Sequence, residues 1–256
     1  MTAVEGTTPA DLLSRPLHAI TEVFGVDGLR ERFRLEVERL DEADRPRLHR
    51  ALALAAELHR DDLRVREPYL NHLLRVTIRM MCYYRVRDSD VLVAALLHDA
   101  VEDHAAELAR GVAADQHGDR PGAGEAAGDD VTEAAFATLR REFGGRVADL
   151  VRSVTNPRWA PDRDRDEQYR EHVATALERD PYARLIKLSD FTDNGTGIIH
   201  ATGPRLERWA AKYLPLVPVL RDLVRRPDTP LDDEARAHVL SQLDLAEQRL
   251  AAIVHG

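Results

Sequence analysis

Apolar residues recur along most of this chain at intervals of three and four, the spacing of one helix face. Over 45–58 the stripe is Leu48, Leu52, Ala55, Ala56 and His59, and 27–40 carries another. Thr8 before Pro9 caps a helix over 8–23, and Pro68 opens one running to about residue 84. Ser89 caps a helix over 90–108 that is strongly apolar and therefore buried. The character then changes: 109–130 holds five glycines and one proline without periodicity, and reads as a long inserted loop or lid. Helical spacing resumes over 132–143, which Gly144 and Gly145 end, and continues over 146–155 and 167–178. Pro181 opens the helix carrying 184–194, which Gly195 and Gly197 should stop. A helix over 204–226, with kinks expected at Pro215 and Pro218, precedes a charged amphipathic helix over 232–254. Between them, 1–9 reads as disordered, and 60–67 and 156–165 as polar loops. There is no internal repeat and few β-branched runs, so the fold class expected is all-α.

At 256 residues and 44% hydrophobic, the chain can bury one sizeable core. Three segments are expected: a tail and helical extension over 1–44, a main domain over 45–226, and a C-terminal helical extension over 227–256. A net charge of −9 argues against a nucleic-acid binder. It leaves room for a small anionic ligand, since a bound cation and a few arginines can reverse the sign inside one pocket. The longest apolar run, 91–97, falls far short of the about 20 residues that span a bilayer, so no membrane role is expected. Residues 1–10 lack the basic start and apolar core of a signal peptide. With a single cysteine, Cys82, no internal disulfide can form, and a cytoplasmic location is expected.

The chemistry concentrates in Leu96-Leu97-His98-Asp99-Ala100-Val101-Glu102-Asp103. On one continuous helix, His98 with Glu102 and Asp99 with Asp103 would occupy two adjacent faces, so one turn would present an imidazole and three carboxyl groups together. Burying so many acids demands a counter-charge, and a divalent cation is the simplest. A solvated charged turn with an incidental histidine would show the same residues. His72, one turn into a helix, and Asp190, after the apolar run ending at Leu188, are further donors from distant parts of the chain. Such a set of N and O atoms suits Mn²⁺, Zn²⁺, Fe²⁺ or Mg²⁺, with positions left open for water and phosphate.

The order His, His-Asp, Asp resembles the HD superfamily of metal phosphohydrolases. More narrowly, five stretches resemble the hydrolase domain of RelA/SpoT-type alarmone enzymes and the small stand-alone alarmone hydrolases. They are Glu67-Pro68-Tyr69-Leu70-Asn71-His72; Ala94 to Asp103; Phe143-Gly144-Gly145-Arg146-Val147-Ala148-Asp149-Leu150-Val151 closing with Val154-Thr155; Lys187-Leu188-Ser189-Asp190 with Asn194; and Tyr213-Leu214-Pro215-Leu216. The resemblance implies an HD-domain helical bundle in which His72, His98, Asp99 and Asp190 bind a metal, typically manganese. Glu102 and Asp103 would activate or orient the attacking water, and the reaction would remove pyrophosphate from the 3′ position of ppGpp or pppGpp. A strongly anionic substrate calls for cations. Arg60, Arg64 and Arg66 precede His72, and Lys187 is one of only two lysines. Asn194 matches a nucleotide contact, and Tyr213 would line the nucleoside pocket.

Two departures matter. The stretch around 64–67 is about one residue short, and Phe191-Thr192-Asp193 replaces a more usual Arg-Leu-His, which alters the expected wall near the base. His104 and His117 lie in or beside the inserted loop and are not expected to bind metal. The rival readings are an HD phosphohydrolase of another nucleotide, such as ppApp, a nucleoside phosphate or a phosphorylated cofactor, and a catalytically silent alarmone-binding module. The C-terminal helix could serve a homo-oligomer or simply pack on its own core.

Overall fold

A computed structural model of the chain describes residues 8–64, 67–111, 128–197 and 204–255. The expected disorder at 1–7, Arg66, most of the glycine-rich insertion and His117 lie outside these residues. Within them the regular elements are helices, apart from one short hairpin. The helices are α1 (Pro9–Ser14), α2 (Leu17–Val37), α3 (Arg45–Leu58), α4 (Leu70–Cys82), α5 (Ser89–Leu96), α6 (Ala100–Arg110), α7 (Asp129–Phe143), α8 (Gly145–Val154), α9 (Arg165–Arg179), α10 (Pro181–Gly197), α11 (Pro204–Tyr213), α12 (Leu216–Arg225) and α13 (Asp233–His255). No helix among the described residues is long and apolar enough to cross a membrane.

Helix α4 is the centre of the bundle, and every residue from Leu70 to Met81 is buried. It packs on α2, α5 and α10, while α3 and α8 cover α5 and α13 braces α10, α11 and α12. Leu73, Leu74, Ile78, Met80 and Met81 give α4 its apolar contacts. His72, Arg75 and Arg79 form a second stripe at i, i+3 and i+7, equally buried. Charged groups hold such positions only when paired, and the partners come from α10.

Several boundaries differ from the sequence reading. The expected single helix over 90–108 is two: it breaks at Leu97–Asp99, where Leu97 leaves helical geometry and Asp99 becomes the N-cap of α6. His98 and Glu102 therefore do not share a face of one helix. The cap of α5 is Asp88, which accepts from the amides of Asp90 and Val91, while Ser89 donates to Asp44 instead. The helix expected over 8–23 is interrupted at Arg15–Pro16 after a capping box between Thr8 and Asp11, and α2 then continues to Val37 through a kink at Gly25, whose φ is +60°. The loop over 60–67 contains an antiparallel hairpin of β1 (Leu63–Arg64) and β2 (Glu67–Pro68). The stretch 204–226 is two helices: Pro215 caps α12, while Pro218 sits in its first turn, where a missing N–H costs nothing. Gly195 does not stop α10, which runs on to Gly197, the last described residue of that stretch. At Gly195 the reason is contact: a Cβ would lie 3.3 Å from that of Ala246 on α13. Along α13, Val239, Leu243, Ala246 and Leu250 are buried against the chain's own helices.

Candidate active site

Four donor residues converge from three places. His72 lies in the first turn of α4, His98 and Asp99 in the α5–α6 break, and Asp190 in the middle of α10. His72 Nε2 is 3.4 Å from Asp190 Oδ1 and 3.7 Å from Asp99 Oδ2; His98 Nε2 is 3.1 Å from Asp99 Oδ2 and 3.9 Å from Asp190 Oδ1. The two imidazole rings are 5.4 Å apart and both are buried. Neither Nε2 has a hydrogen-bond partner; the 3.1 Å approach of His98 to Asp99 is short enough but poorly aligned.

The opposite ring nitrogens are both engaged. His72 Nδ1 is 2.9 Å from Asp193 Oδ2, and His98 Nδ1 is 2.9 Å from the Ala95 carbonyl. Each acceptor fixes the tautomer that carries its proton on Nδ1 and turns the Nε2 lone pair toward the two carboxylates. Buried polar atoms are seldom left without partners. Two lone pairs and two carboxylates aimed at one point are the donor set of a divalent cation, so His72, His98, Asp99 and Asp190 could hold one.

The supporting shell is built from the α4 and α10 stripes. Arg75 donates through Nε and Nη2 to Asp193, at 2.9 Å each, and through Nη1 and Nη2 to Glu67. Arg79 donates to Asp193 at 3.0 Å and to the Ser189 carbonyl. Burial pushes the Asp193 carboxyl up, but Arg75, His72 and Arg79 outweigh it and hold the carboxyl well below the usual range. Tyr69 donates its hydroxyl to Asp99 Oδ2 at 2.7 Å. Lys187 donates to Asp190 Oδ2 at 2.8 Å, and Asn194 to Asp190 Oδ1 at 2.7 Å. Against the cost of burial, Lys187 holds Asp190 well below the ordinary carboxylate range.

Glu102 and Asp103 begin α6 on its exposed side. Asn156, after α8, donates its side-chain amide to both Glu102 oxygens at 2.8 and 2.9 Å. The Asp103 carboxyl is crowded despite its exposed position. Lost hydration and the charges of Asp99, Glu102 and Asp62 push it up to about 8.

The expected substrate contacts divide. The Arg64 guanidinium sits 5.9 Å from the Tyr69 ring centre, beside the site. Arg60 lies at the surface, where it pairs with Glu57 and Asp61, and no contact joins it to the cluster. Lys187 and Asn194 use their donors on Asp190, but Asn194 Oδ1 is buried without a partner. Tyr213 meets Phe191 edge-on at 5.9 Å, and Lys212 lies 4.0 Å over the Tyr169 ring and 5.4 Å from that of Tyr213. Of the Phe191-Thr192-Asp193 departure, Phe191 packs on Tyr213, while Asp193 turns inward to His72. Sequence reasoning missed Asp193, Arg75, Arg79, Glu67 and Tyr69 as parts of the site. The available signal was helical spacing, since Arg75 follows His72 by three positions and Asp193 follows Asp190 by three.

No family model matches the chain. Over 146 residues it is 31% identical to the guanosine-3′,5′-bis(diphosphate) 3′-pyrophosphohydrolase MESH1 of Drosophila melanogaster, an alignment covering 56% of this chain and 64% of that protein. It is 29% identical over 162 residues to MESH1 of Danio rerio, covering 62% of this chain and 71% of the relative. It is 30% identical over 149 residues to the guanosine-3′,5′-bis(diphosphate) 3′-pyrophosphohydrolase of Aquifex aeolicus, of whose length the alignment covers 17%. The chain thus spans less than two thirds of the fly protein and a small part of the bacterial one. Among solved structures, one described as "A metazoan ortholog of SpoT hydrolyzes ppGpp and plays a role in starvation responses" matches with a TM-score of 0.54 and 23% identity, over 78% of this chain and 93% of that one. The likeness to HD-superfamily alarmone hydrolases is therefore carried by sequence similarity over more than half the chain, and the helical fold is shared.

Proposed function

We propose that this protein is a metal-dependent 3′-pyrophosphohydrolase of guanosine alarmones, converting ppGpp or pppGpp and water into GDP or GTP and pyrophosphate. The observation that carries the reading is the pair of buried, unpartnered imidazole nitrogens facing Asp99 and Asp190. The named relatives supply the substrate class. In this reading His72, His98, Asp99 and Asp190 hold the ion, manganese by the family resemblance. Such an ion supplies Lewis acidity, setting positive charge against phosphoryl oxygens and easing the ionisation of water near neutral pH.

The chain's own residues do the rest. Glu102 and Asp103, at the rim of the cluster, take the proton from the attacking water or orient it. Asn156 fixes the Glu102 carboxylate by holding both its oxygens. Arg64 and Lys212 offer cations to the phosphates, and guanidinium geometry suits a phosphate pair of oxygens. Tyr213 offers a ring to the nucleoside. Lys187 and Asn194 act first by holding Asp190 in place. The free Asn194 carbonyl oxygen can still accept a hydrogen bond from the nucleotide. Arg60 has the weakest claim, since Glu57 and Asp61 already engage it. A small nucleotide is the partner implied, in a cytoplasmic setting.

One observation favours a second reading. An apolar Phe191 packs on Tyr213 where relatives of the resembled family place a basic residue, which leaves the base identity open to adenine or another nucleotide. The test is pyrophosphate release with Mn²⁺ across ppGpp, pppGpp, ppApp and ordinary nucleoside phosphates, using the wild type and Glu102→Ala. Release from the guanosine alarmones, lost in Glu102→Ala, is expected. Turnover of ppApp alone would select the second reading. Tight nucleotide binding without turnover on any substrate would sink both.

A further inference from the structure

A second group of donor atoms lies beside the first. His59 follows α3, Asp62 stands in the turn before β1, and His104 and Glu107 are on α6. Asp62 Oδ2 is 2.7 Å from both His59 Nδ1 and His104 Nε2, and His104 Nδ1 is 3.2 Å from Glu107 Oε2. One donor atom from each of His59, Asp62 and His104 lies within 4.8 Å of the others. Helix α6 leaves helical geometry at His104, with φ −133° and ψ 32°. His59 is only 2% exposed, and its ring stacks on Tyr69 at 4.8 Å and meets His104 edge-on at 4.5 Å.

We propose that His59, Asp62 and His104 form a second divalent-cation site, distinct from the His72–His98–Asp99–Asp190 cluster and suited to Zn²⁺. Two imidazoles and one carboxylate are a zinc-type donor set with a fourth position open. Glu107 completes it from outside. Its Oε2 lies 3.2 Å from His104 Nδ1, the ring nitrogen turned away from Asp62, a placement of carboxylate beside histidine that accompanies metal-binding imidazoles. The present 2.7 Å separations are those of groups sharing protons. Around a tetrahedral zinc at ~2.0–2.1 Å the donors stand about 3.3 Å apart, so binding spreads them by roughly half an ångström as the shared protons leave. This revises the expectation that His104 takes no metal. An ion here would tie the end of α3 to α6 directly behind Tyr69, whose hydroxyl holds Asp99.

The alternative is that the same contacts are a proton-linked tie and nothing more. Metal-stripped wild type, His104→Ala, Asp190→Ala and the double variant are dialysed against Zn²⁺ alone, and bound zinc is measured by elemental analysis. The expected result is that His104→Ala holds one equivalent fewer than wild type, and that Asp190→Ala retains an equivalent which the double variant lacks. Equal zinc in wild type and His104→Ala would overturn the proposal. Should His104→Ala fail to fold by circular dichroism, Co²⁺ titration of Asp190→Ala decides instead. Intense visible bands of a tetrahedral site are expected, and their absence overturns the assignment. Both readouts report metal binding and neither uses turnover, so a failure to hydrolyse alarmones would leave this result untouched.

Discussion

Asp193 gives the sharpest test of how this site is assembled. It is 2% exposed and is shared by Arg75, Arg79 and His72 at 2.9–3.0 Å. Asp193→Asn changes almost no volume. It removes the negative charge and offers an NH₂ where only acceptors are wanted, leaving two buried guanidinium groups short of an anion. Breaking a buried ion pair from one side costs about 3–5 kcal/mol. Arg75 keeps Glu67 and Arg79 keeps the Ser189 carbonyl, so the lower end, about 3 kcal/mol, is expected. With a urea slope on the order of 3 kcal/mol/M, the unfolding midpoint should fall by about 1 M. The same change removes the acceptor that orients His72, so Mn²⁺ affinity should fall about 10–100-fold. The sign with pH follows from the depressed carboxyl. Asp193 contributes stability that is present above the unfolded value of about 3.9 and lost as pH falls below it. The gap between wild type and Asp193→Asn should therefore be widest near neutrality and close below about pH 4. Urea titrations followed by circular dichroism from neutral to acid pH, with a parallel Mn²⁺ titration, measure all three effects. A midpoint within about 0.3 M of wild type together with unchanged metal affinity would refute the account.

Asp99→Ala should abolish both Mn²⁺ binding and pyrophosphate release; full manganese-dependent turnover in that variant would remove the basis of the proposed site. Glu102→Ala and Asp103→Ala should each bind Mn²⁺ within a few-fold of wild type while turnover drops by about 10²–10⁴, as expected when a general base is lost. Metal alone should stabilise the fold by about 2.7 kcal/mol at a hundredfold excess over its dissociation constant, seen as a higher melting temperature that a chelator reverses. An unchanged melting temperature across the titration would argue that the cluster does not bind the ion.

The helical frame was legible because helix after helix buries one stripe, and a 3.6-residue period survives in the sequence. The α5–α6 break was not, because 91–101 is nearly all apolar and nothing local marks a turn. The break accompanies a tertiary demand: His98 turns its Nδ1 to the Ala95 carbonyl and its Nε2 to the cluster. The hairpin has strands of two residues, too short to show alternation. The four donor residues could be named from residue type and motif order. Their supports could not, since an arginine or aspartate reads as surface until its partner is known, and Arg75 and Asp193 stand 118 positions apart. Arg60 shows the converse: a basic residue next to a site in sequence can have its donors occupied elsewhere.

Gly195 and Ala246 carry a mechanical consequence. Helix α10 presents Asp190 to the cluster on one side and, five residues on, lies so close to α13 that a methyl group at 195 would press on Ala246. The helix has no slack behind it. Behind it α13 is itself held in the core by Val239, Leu243 and Leu250. The location of the Asp190 carboxylate is thus governed partly by α13, a helix that contributes none of the four donor residues. Loosening that backrest would blur the cluster without touching a single donor atom.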